Sequence, residues 1–453
     1  MANKPKLEVL DALRGFCALV VVALHFSENY TKCGFRLMPH GCLPVEYFFI
    51  LTGFTLVYAY DSRWAQGMSI RSFLVRRVIR LHPLVIVGAI VGAACYLLSA
   101  EQYANRFPCE LGLGQLGLLT LWCSTLLPAP SLLGWRLLSP LQGPLWTLFY
   151  IYLANVLYVL VLRRLRTWTI IALAVASIGA TWYFGLRSGG FHCGAEWSWW
   201  WSEPTLKGIL NSSNMGALAR MAFPLFAGMA IARRGWKIKS GNWSLPICVL
   251  ILSAIFFAPE MRPNLLTTGP LDPGAILPAL GLSASKALNG GFEATAVVVG
   301  MPLVLLLGIG GEIRNRKVAA VCGFLGRYSF PLYCTHYSFT ILQRVWRDAH
   351  PDAPWQMHLA TVCACALFAF VSAYVAMLVA DWVVNKFKRR VPCIAAPGRP
   401  SAPCLAGGAC ASQAEPHAAR LREWALTSAT VFCRGMRSVK ASDAILIEGN
   451  VIV

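Results

Sequence analysis

An arginine and a histidine interrupt the first long apolar segment of the chain, LRGFCALVVVALHF at residues 13–26. Eleven residues separate Arg14 from His25, which is almost three helical turns, so both side chains fall on one helix face, about 16 Å apart. Ionisable groups in a membrane helix are costly and are usually kept for function. The pair therefore predicts chemistry across a membrane, although a snorkelling anchor at Arg14 and a capping His25 would explain it equally well.

A second polar face occurs late in the chain, in the segment GRYSFPLYCTH at residues 326–336. Ser329, Tyr333 and His336 lie along one side of a helix there, because seven residues bring Ser329 and His336 to within about 20° of each other. This face predicts a partner for His25 or a direct contact with a substrate. A histidine that simply hydrogen-bonds inside the bundle is the alternative.

Arginines cluster in the segment FLVRRVIRLHP at residues 73–83, which we expect to be a loop just inside the membrane. Arg76 and Arg80 share one helix face at i and i+4, and Arg77 lies on a neighbouring face. Guanidinium groups bind phosphate through two hydrogen bonds, so a phosphorylated cofactor could dock here. Anchoring against anionic lipid headgroups is the alternative.

A carboxylate opens the next apolar segment, VEYFFILTGF at residues 45–54, and we expect it at the outer rim of the membrane. Glu46 there suits the positive end of a helix dipole, which is the simpler interpretation. A contact with substrate is the functional alternative.

The elements that must position these residues are apolar helices. Of 453 residues, 57% are hydrophobic and 13% are charged, and the mean hydropathy of +0.57 is far above that of a soluble protein. Many runs reach the roughly 20 residues that span a bilayer. The net charge of +20 comes from short basic runs between apolar segments, a positive-inside pattern rather than a nucleic-acid surface. We therefore predict an all-α polytopic membrane protein that binds no nucleic acid.

The basic runs predict a bundle of about ten transmembrane helices with both termini in the cytoplasm. The predicted spans are 13–29, 44–60, 83–100, 143–162, 168–185, 217–232, 244–258, 294–310, 325–343 and 357–384. Segment 112–127 either spans the membrane or forms a re-entrant or interfacial hairpin, and the hairpin keeps the later basic runs inside. Residues 1–390 are predicted to be the membrane domain, and 391–453 a poorly ordered cytoplasmic tail.

Taken together, the motifs resemble those of the acyltransferase 3 family, integral-membrane enzymes that commonly O-acetylate bacterial surface polysaccharides. The match covers residues from about 11 to 336, in order: LDALRGFCALVVVALH with its R-x10-H pattern, VEYFFILTGF, FLVRRVIRLHP, GPLWTL at 143–148 and LGRYSFPLYCTH. Two departures stand out. Members commonly have aspartate at the position of Glu46, and many have glutamate where this chain has Ile151.

The resemblance implies an O-acyltransferase of the cell inner membrane that moves an acyl group, typically acetyl, from cytoplasmic acyl-CoA to a hydroxyl of a carbohydrate or lipid-linked glycan. No metal is expected. The implied roles are phosphate binding by Arg76, Arg77 and Arg80, donor positioning by Arg14, proton acceptance by His25, and orientation of His25, acceptor binding or oxyanion stabilisation by His336, Ser329 and Tyr333.

Direct attack by the hydroxyl and an acyl-histidine intermediate both fit these roles. A transporter or flippase for a glycan or lipid is the main alternative function, and it predicts no thioester cleavage. A structural partner of a polysaccharide synthesis complex is the third, and it would tolerate loss of both Arg14 and His25.

Overall fold

The computed structural model describes residues 7–30, 37–98, 111–127, 139–191, 213–260 and 284–390, so the predicted tail at 391–453 lies outside the described residues. Within them the chain is helical, with one isolated bridge between Gly241 and Gly311. The helices are α1 (Glu8–Glu28), α2 (Pro44–Ala65), α3 (Ile70–Leu97), α4 (Leu113–Thr125), α5 (Trp146–Leu160), α6 (Thr167–Ser188), α7 (Ser213–Arg234), α8 (Ser244–Phe256), α9 (Ala284–Thr295), α10 (Met301–Gly310), α11 (Arg316–Ala349) and α12 (Trp355–Arg390).

Seven helical stretches in the described part of the chain are long and apolar enough to cross a membrane. They are Glu8–Glu28, Ile70–Leu97, Gly143–Leu160, Thr167–Ser188, Ser213–Arg234, Lys286–Gly310 and Trp355–Phe387. The all-helical class is therefore confirmed, whereas the count of ten is not. Helices α2 and α11 are long but less apolar than these seven.

Two further helices, α4 and α8, have 13 residues each. That length corresponds to about 20 Å, short of the roughly 30 Å hydrocarbon core. Segment 112–127, which becomes α4, is thus too short to span as a straight helix, and this favours the hairpin over the spanning alternative.

The expected loop before Pro83 is wrong, because α3 already begins at Ile70. Ser69 caps this helix, with its Oγ accepting a hydrogen bond from Ser72 N at 3.2 Å. Pro83 lies inside the helix. The clustered arginines therefore project from its first turns rather than from a flexible connection.

Helices α1 and α11 run parallel and in close contact. Hydrogen bonds between them join residues 311 to 315 positions apart, so the register is nearly constant along their length. Glycines permit this approach: a Cβ on Gly326 would lie 2.6 Å from Asp11 Cβ, and one on Gly15 would lie 2.7 Å from Leu325 Cβ. No larger residue fits at either position unless the helices move apart.

Helix α2 packs against α7 through a second pair of glycines. A Cβ on Gly53 would lie 2.0 Å from Leu225 O, and one on Gly228 would lie 2.1 Å from Ile50 O. Because the two backbones are this close, α2 and α7 pack tightly against each other.

Helices α9 and α10 are joined by a π-helical turn, Ala296–Gly300, so that they form one continuous rod. A π turn accommodates one residue more than an α turn and is frequent at functional sites. For the description that follows, the arginine end of the bundle holds Arg14 and Arg80, and the histidine end holds His25 and His336.

Candidate active site

The contact between α1 and α11 at the histidine end joins two histidines. His25 Nδ1 lies 2.9 Å from His336 Nε2, and the two rings stack with centroids 5.1 Å apart. His336 is fully buried, whereas His25 is half-buried. Tyr337 adds an edge-on ring contact to His25, with centroids 5.1 Å apart. The geometry holds the His25 ring while leaving part of it accessible.

The surroundings of His336 determine which nitrogen carries hydrogen in each ring. His336 Nδ1 lies 2.9 Å from Leu332 O and 3.1 Å from Tyr333 O, and carbonyl oxygens only accept hydrogen bonds. Nδ1 of His336 must therefore be protonated, so Nε2 of the neutral ring accepts. His25 Nδ1 must then donate to it, which leaves His25 Nε2 unprotonated. Among the described residues that nitrogen has no hydrogen-bond partner.

Arg14 is fixed to α11 rather than to the histidines. Its Nε donates to Gly326 O at 2.9 Å and to Ser329 Oγ at 3.1 Å, its Nη2 also donates to Gly326 O, and Nη2 pairs with Asp11 at 3.1 Å. Ser329 Oγ donates in turn to Gly326 O at 2.9 Å. Ser329 thus positions Arg14. The Arg14 side chain stays 28% exposed, so a ligand can still reach it.

The three clustered arginines do not share one environment. Arg77 is buried and its Nε donates to Asn155 Oδ1 at 2.5 Å. Arg76 is half-buried and contacts Ser72 Oγ at 3.4 Å, while Arg80 is exposed and lies within electrostatic range of Arg14. Arg76 and Arg80 are therefore accessible at the arginine end, and Arg77 ties α3 to α5.

Tyr333 joins α11 to the start of α5. Its hydroxyl lies 2.8 Å from Thr147 Oγ1 and donates to Pro144 O at 2.9 Å. The ring makes an edge-on contact with Phe48 of α2, with centroids 5.8 Å apart. Because both hydroxyl contacts are within the protein, Tyr333 positions the helix that carries His336.

Glu46 lies in the first turn of α2, and its side chain is buried inside the bundle. Its side chain is 0% exposed and pairs with Arg220 of α7, which is 3% exposed, at 2.5 Å. Arg220 also lies over the Trp146 ring, 5.0 Å from the centroid. Sequence reasoning missed Arg220, although an arginine within a predicted membrane span, 217–232, is itself a signal of function.

The site combines a proton-accepting nitrogen inside a helical bundle with cations at one end of the same helix pair. Among the described residues, no group of three or more His, Cys, Asp or Glu side chains could hold a metal ion. Such an arrangement suits transfer of a group between a charged donor and a hydroxyl. Fold and site together define a membrane-embedded enzyme.

A family model described as an acyltransferase domain, acyltransferase 3, matches residues 7–377. The match covers most of the chain, which therefore belongs to this family. The resemblance seen in the motifs is confirmed, and the protein is a multi-pass membrane acyltransferase.

Two relatives are similar to parts of the chain. "Protein 2 in picA locus" of Rhizobium radiobacter is 28% identical over 176 residues, which is 38% of this chain and 90% of that protein. Peptidoglycan O-acetyltransferase OatA of Listeria monocytogenes is 30% identical over 84 residues, which is 18% of this chain and only 12% of that protein. No solved structure matched the chain.

Proposed function

We propose that the protein is an O-acyltransferase of the cell inner membrane that moves an acetyl group from cytoplasmic acetyl-CoA to a hydroxyl of a carbohydrate or lipid-linked glycan. The contact between His25 and His336 carries the proposal, because it leaves His25 Nε2 as an unprotonated base inside the bundle. The Listeria relative is named a peptidoglycan O-acetyltransferase, which supports an acetyl donor and a glycan acceptor.

The donor enters at the arginine end, which faces the cytoplasm in this proposal, as the positive-inside rule requires. Arg76 and Arg80 bind the phosphates of the cofactor, and the exposed part of Arg14 positions it, while Arg77 holds α3 in place through Asn155. The thioester arm then extends along α1, over the roughly 16 Å between Arg14 and His25. Both termini of the membrane domain, residues 1–390, are cytoplasmic in this orientation.

Transfer proceeds at His25. Its Nε2 accepts the proton of the acceptor hydroxyl while the hydroxyl oxygen forms a bond to the thioester carbonyl carbon. The carbon–sulfur bond then breaks, and the departing sulfur takes the proton back from Nε2. His336 Nε2 accepts a hydrogen bond from His25 Nδ1 throughout, and this hydrogen bond stabilises the His25 ring while it is charged. Glu46 Oε2, which has no partner among the described residues, is the proposed polar contact for the acceptor, and Arg220 holds the carboxylate in place.

The test is acetyl transfer in isolated membranes supplied with radiolabelled acetyl-CoA and with lipid-linked and surface glycan from the producing cells. His25→Gln is expected to lower the rate by roughly 10²- to 10⁴-fold, the usual contribution of a general base. His350→Gln is the matched control, since His350 is exposed at the end of α11. Full transfer by His25→Gln contradicts the mechanism, and a wild-type protein that cleaves no thioester points to a transporter instead.

A further inference from the structure

A second buried histidine lies at the histidine end, outside the contact between His25 and His336. His40 Nδ1 lies 2.7 Å from Glu293 Oε1, and the side chains are 2% and 1% exposed. The other oxygen of that carboxylate accepts a hydrogen bond from Phe191 N. His40 Nε2 is buried and has no hydrogen-bond partner among the described residues. One nitrogen of the ring is thus held by the protein, and the other is left unsatisfied.

The backbone is shaped to admit this carboxylate. Gly190 has φ +139°, and a Cβ there would lie 2.9 Å from Glu293 Oε2. The segment that carries His40 also packs on α1, because a Cβ on Gly41 would lie 3.0 Å from Leu24 Cδ1. Leu24 immediately precedes His25 in the chain. The segment that carries His40 therefore packs on the turn of α1 that carries His25.

The hydrogen-bonding groups at this position select one chemical class of ligand. In the neutral ring, with Nδ1 donating to the carboxylate, His40 Nε2 accepts a hydrogen bond and has no hydrogen to donate. Glu46 Oε2 is a second buried acceptor without a partner among the described residues. Arg220 connects the two groups, since it donates to Glu46 and to Cys42 O at 3.4 Å, and Cys42 Sγ lies 3.8 Å from Glu293 Oε1.

Two unsatisfied acceptors, one of which is a carboxylate oxygen, disfavour a phosphate or a carboxylate ligand, which would have no hydrogen to donate to them. They favour a neutral ligand with several hydroxyl groups. A carbohydrate has this chemistry.

We propose that His40 and Glu293 form a subsite for the carbohydrate acceptor, in which His40 Nε2 accepts a hydrogen bond from one acceptor hydroxyl. The proposal takes the class of acceptor from the proposed function and adds where it binds. Glu293 accepts the hydrogen bond from Nδ1 and so selects the tautomer of the neutral ring in which Nε2 is the acceptor. His40 is a positioning residue in this scheme, because no bond forms or breaks at it.

Two substitutions of His40 separate this role from a purely structural one. In His40→Asn the amide nitrogen takes the place of Nδ1, so the hydrogen bond to Glu293 is kept and the Nε2 acceptor is lost. In His40→Gln the amide reaches the position of Nε2, and the bond to Glu293 is lost instead. A ligand-binding role predicts that His40→Asn is the more impaired of the two. A structural role predicts the reverse order.

The measurement is the Michaelis constant for each substrate in membranes, with glycan extracted from the producing cells as the acceptor and radiolabelled acetyl-CoA as the donor. His40→Asn should raise KM for the glycan roughly tenfold, as expected for one lost hydrogen bond, and leave KM for acetyl-CoA unchanged. Both constants are independent of how much protein folds, so a poorly expressed variant remains informative. An unchanged KM for the glycan in His40→Asn overturns the proposal.

Failure of the proposed function gives a different result, because the wild-type protein would then label no glycan at all. A second arm covers that case by measuring the thermal unfolding midpoint of purified protein in detergent with and without the extracted glycan. The glycan should raise the midpoint of the wild type and leave that of His40→Asn unchanged. Equal shifts in both proteins overturn the subsite, whatever reaction the enzyme performs.

Discussion

Replacing His336 by asparagine tests how the two histidines work together. The asparagine amide still donates to Leu332 O, as Nδ1 of His336 does, but it offers no acceptor to His25 Nδ1. Loss of that buried hydrogen bond costs about 1–3 kcal/mol. If the whole cost appears in the transition state, the rate falls by about 5- to 150-fold. His336→Gln, whose amide oxygen reaches the Nε2 position, should retain more activity than His336→Asn.

The double variant His25→Gln/His336→Asn determines whether His336 acts only through His25. If it does, the second substitution has nothing left to impair, and the double variant matches His25→Gln within about twofold. The assay is the initial rate of acetyl transfer in membranes at saturating acetyl-CoA, normalised to the amount of each protein by immunoblot. A double variant slowed by the product of the two single losses would refute the reasoning, as would full activity in His336→Asn.

Three further predictions concern the surroundings of the site. Glu46→Leu leaves the Arg220 guanidinium buried without a counter-charge and should lower the free energy of unfolding by about 3–5 kcal/mol, whereas Glu46→Leu combined with Arg220→Met should recover most of that loss. Arg80→Gln should raise KM for acetyl-CoA by up to about fivefold, the size of an exposed ion pair, while the exposed Lys237 replaced by Gln should leave it unchanged. Gly53→Ala forces α2 away from α7 and should lower the free energy of unfolding by about 1–3 kcal/mol.

Thermal or denaturant unfolding in detergent measures the two stability effects, and substrate titration measures KM for acetyl-CoA. If the double variant is less stable than Glu46→Leu, the interpretation of Glu46 and Arg220 as a buried ion pair is wrong. Equal KM values for the Arg80 and Lys237 variants would remove Arg80 from the donor site. A Gly53→Ala protein as stable as the wild type would mean that α2 and α7 can separate without cost.

The residues of the site could be predicted from the sequence to the extent that helical periodicity governs them. Spacing placed Arg14 and His25 on one face, and the structure has both facing α11. The same reasoning placed Ser329 and His336 on one face, and in the structure both face α1, where Ser329 contacts Arg14 and His336 contacts His25. Helical periodicity predicts the face of the helix on which a side chain lies. It does not predict how far along the helix axis that side chain reaches, because this depends on its length.

Other features depend on contacts that a single sequence does not display. Glu46 pairs with Arg220, 174 positions away, and the position of Glu46 in its own helix does not indicate this partner. Hydropathy did not predict the start of α3 at Ile70, because it measures only which residues suit lipid. A turn rich in arginine that precedes the apolar stretch can be helical as well. The same scale counted α8 as a span, although its 13 residues are too few.

The π turn at Ala296–Gly300 places one extra residue between Glu293 and α10. Glu293 lies just before that turn and contacts His40, while Met301 and Val304 after it pack in the hydrophobic core of the bundle. A regular α-helix advances about 100° per residue, so an extra residue without the wider turn would rotate Glu293 away from His40 by about that angle. The wider turn absorbs the residue, so that Glu293 keeps its contact with His40 while the residues after the turn keep their places in the core.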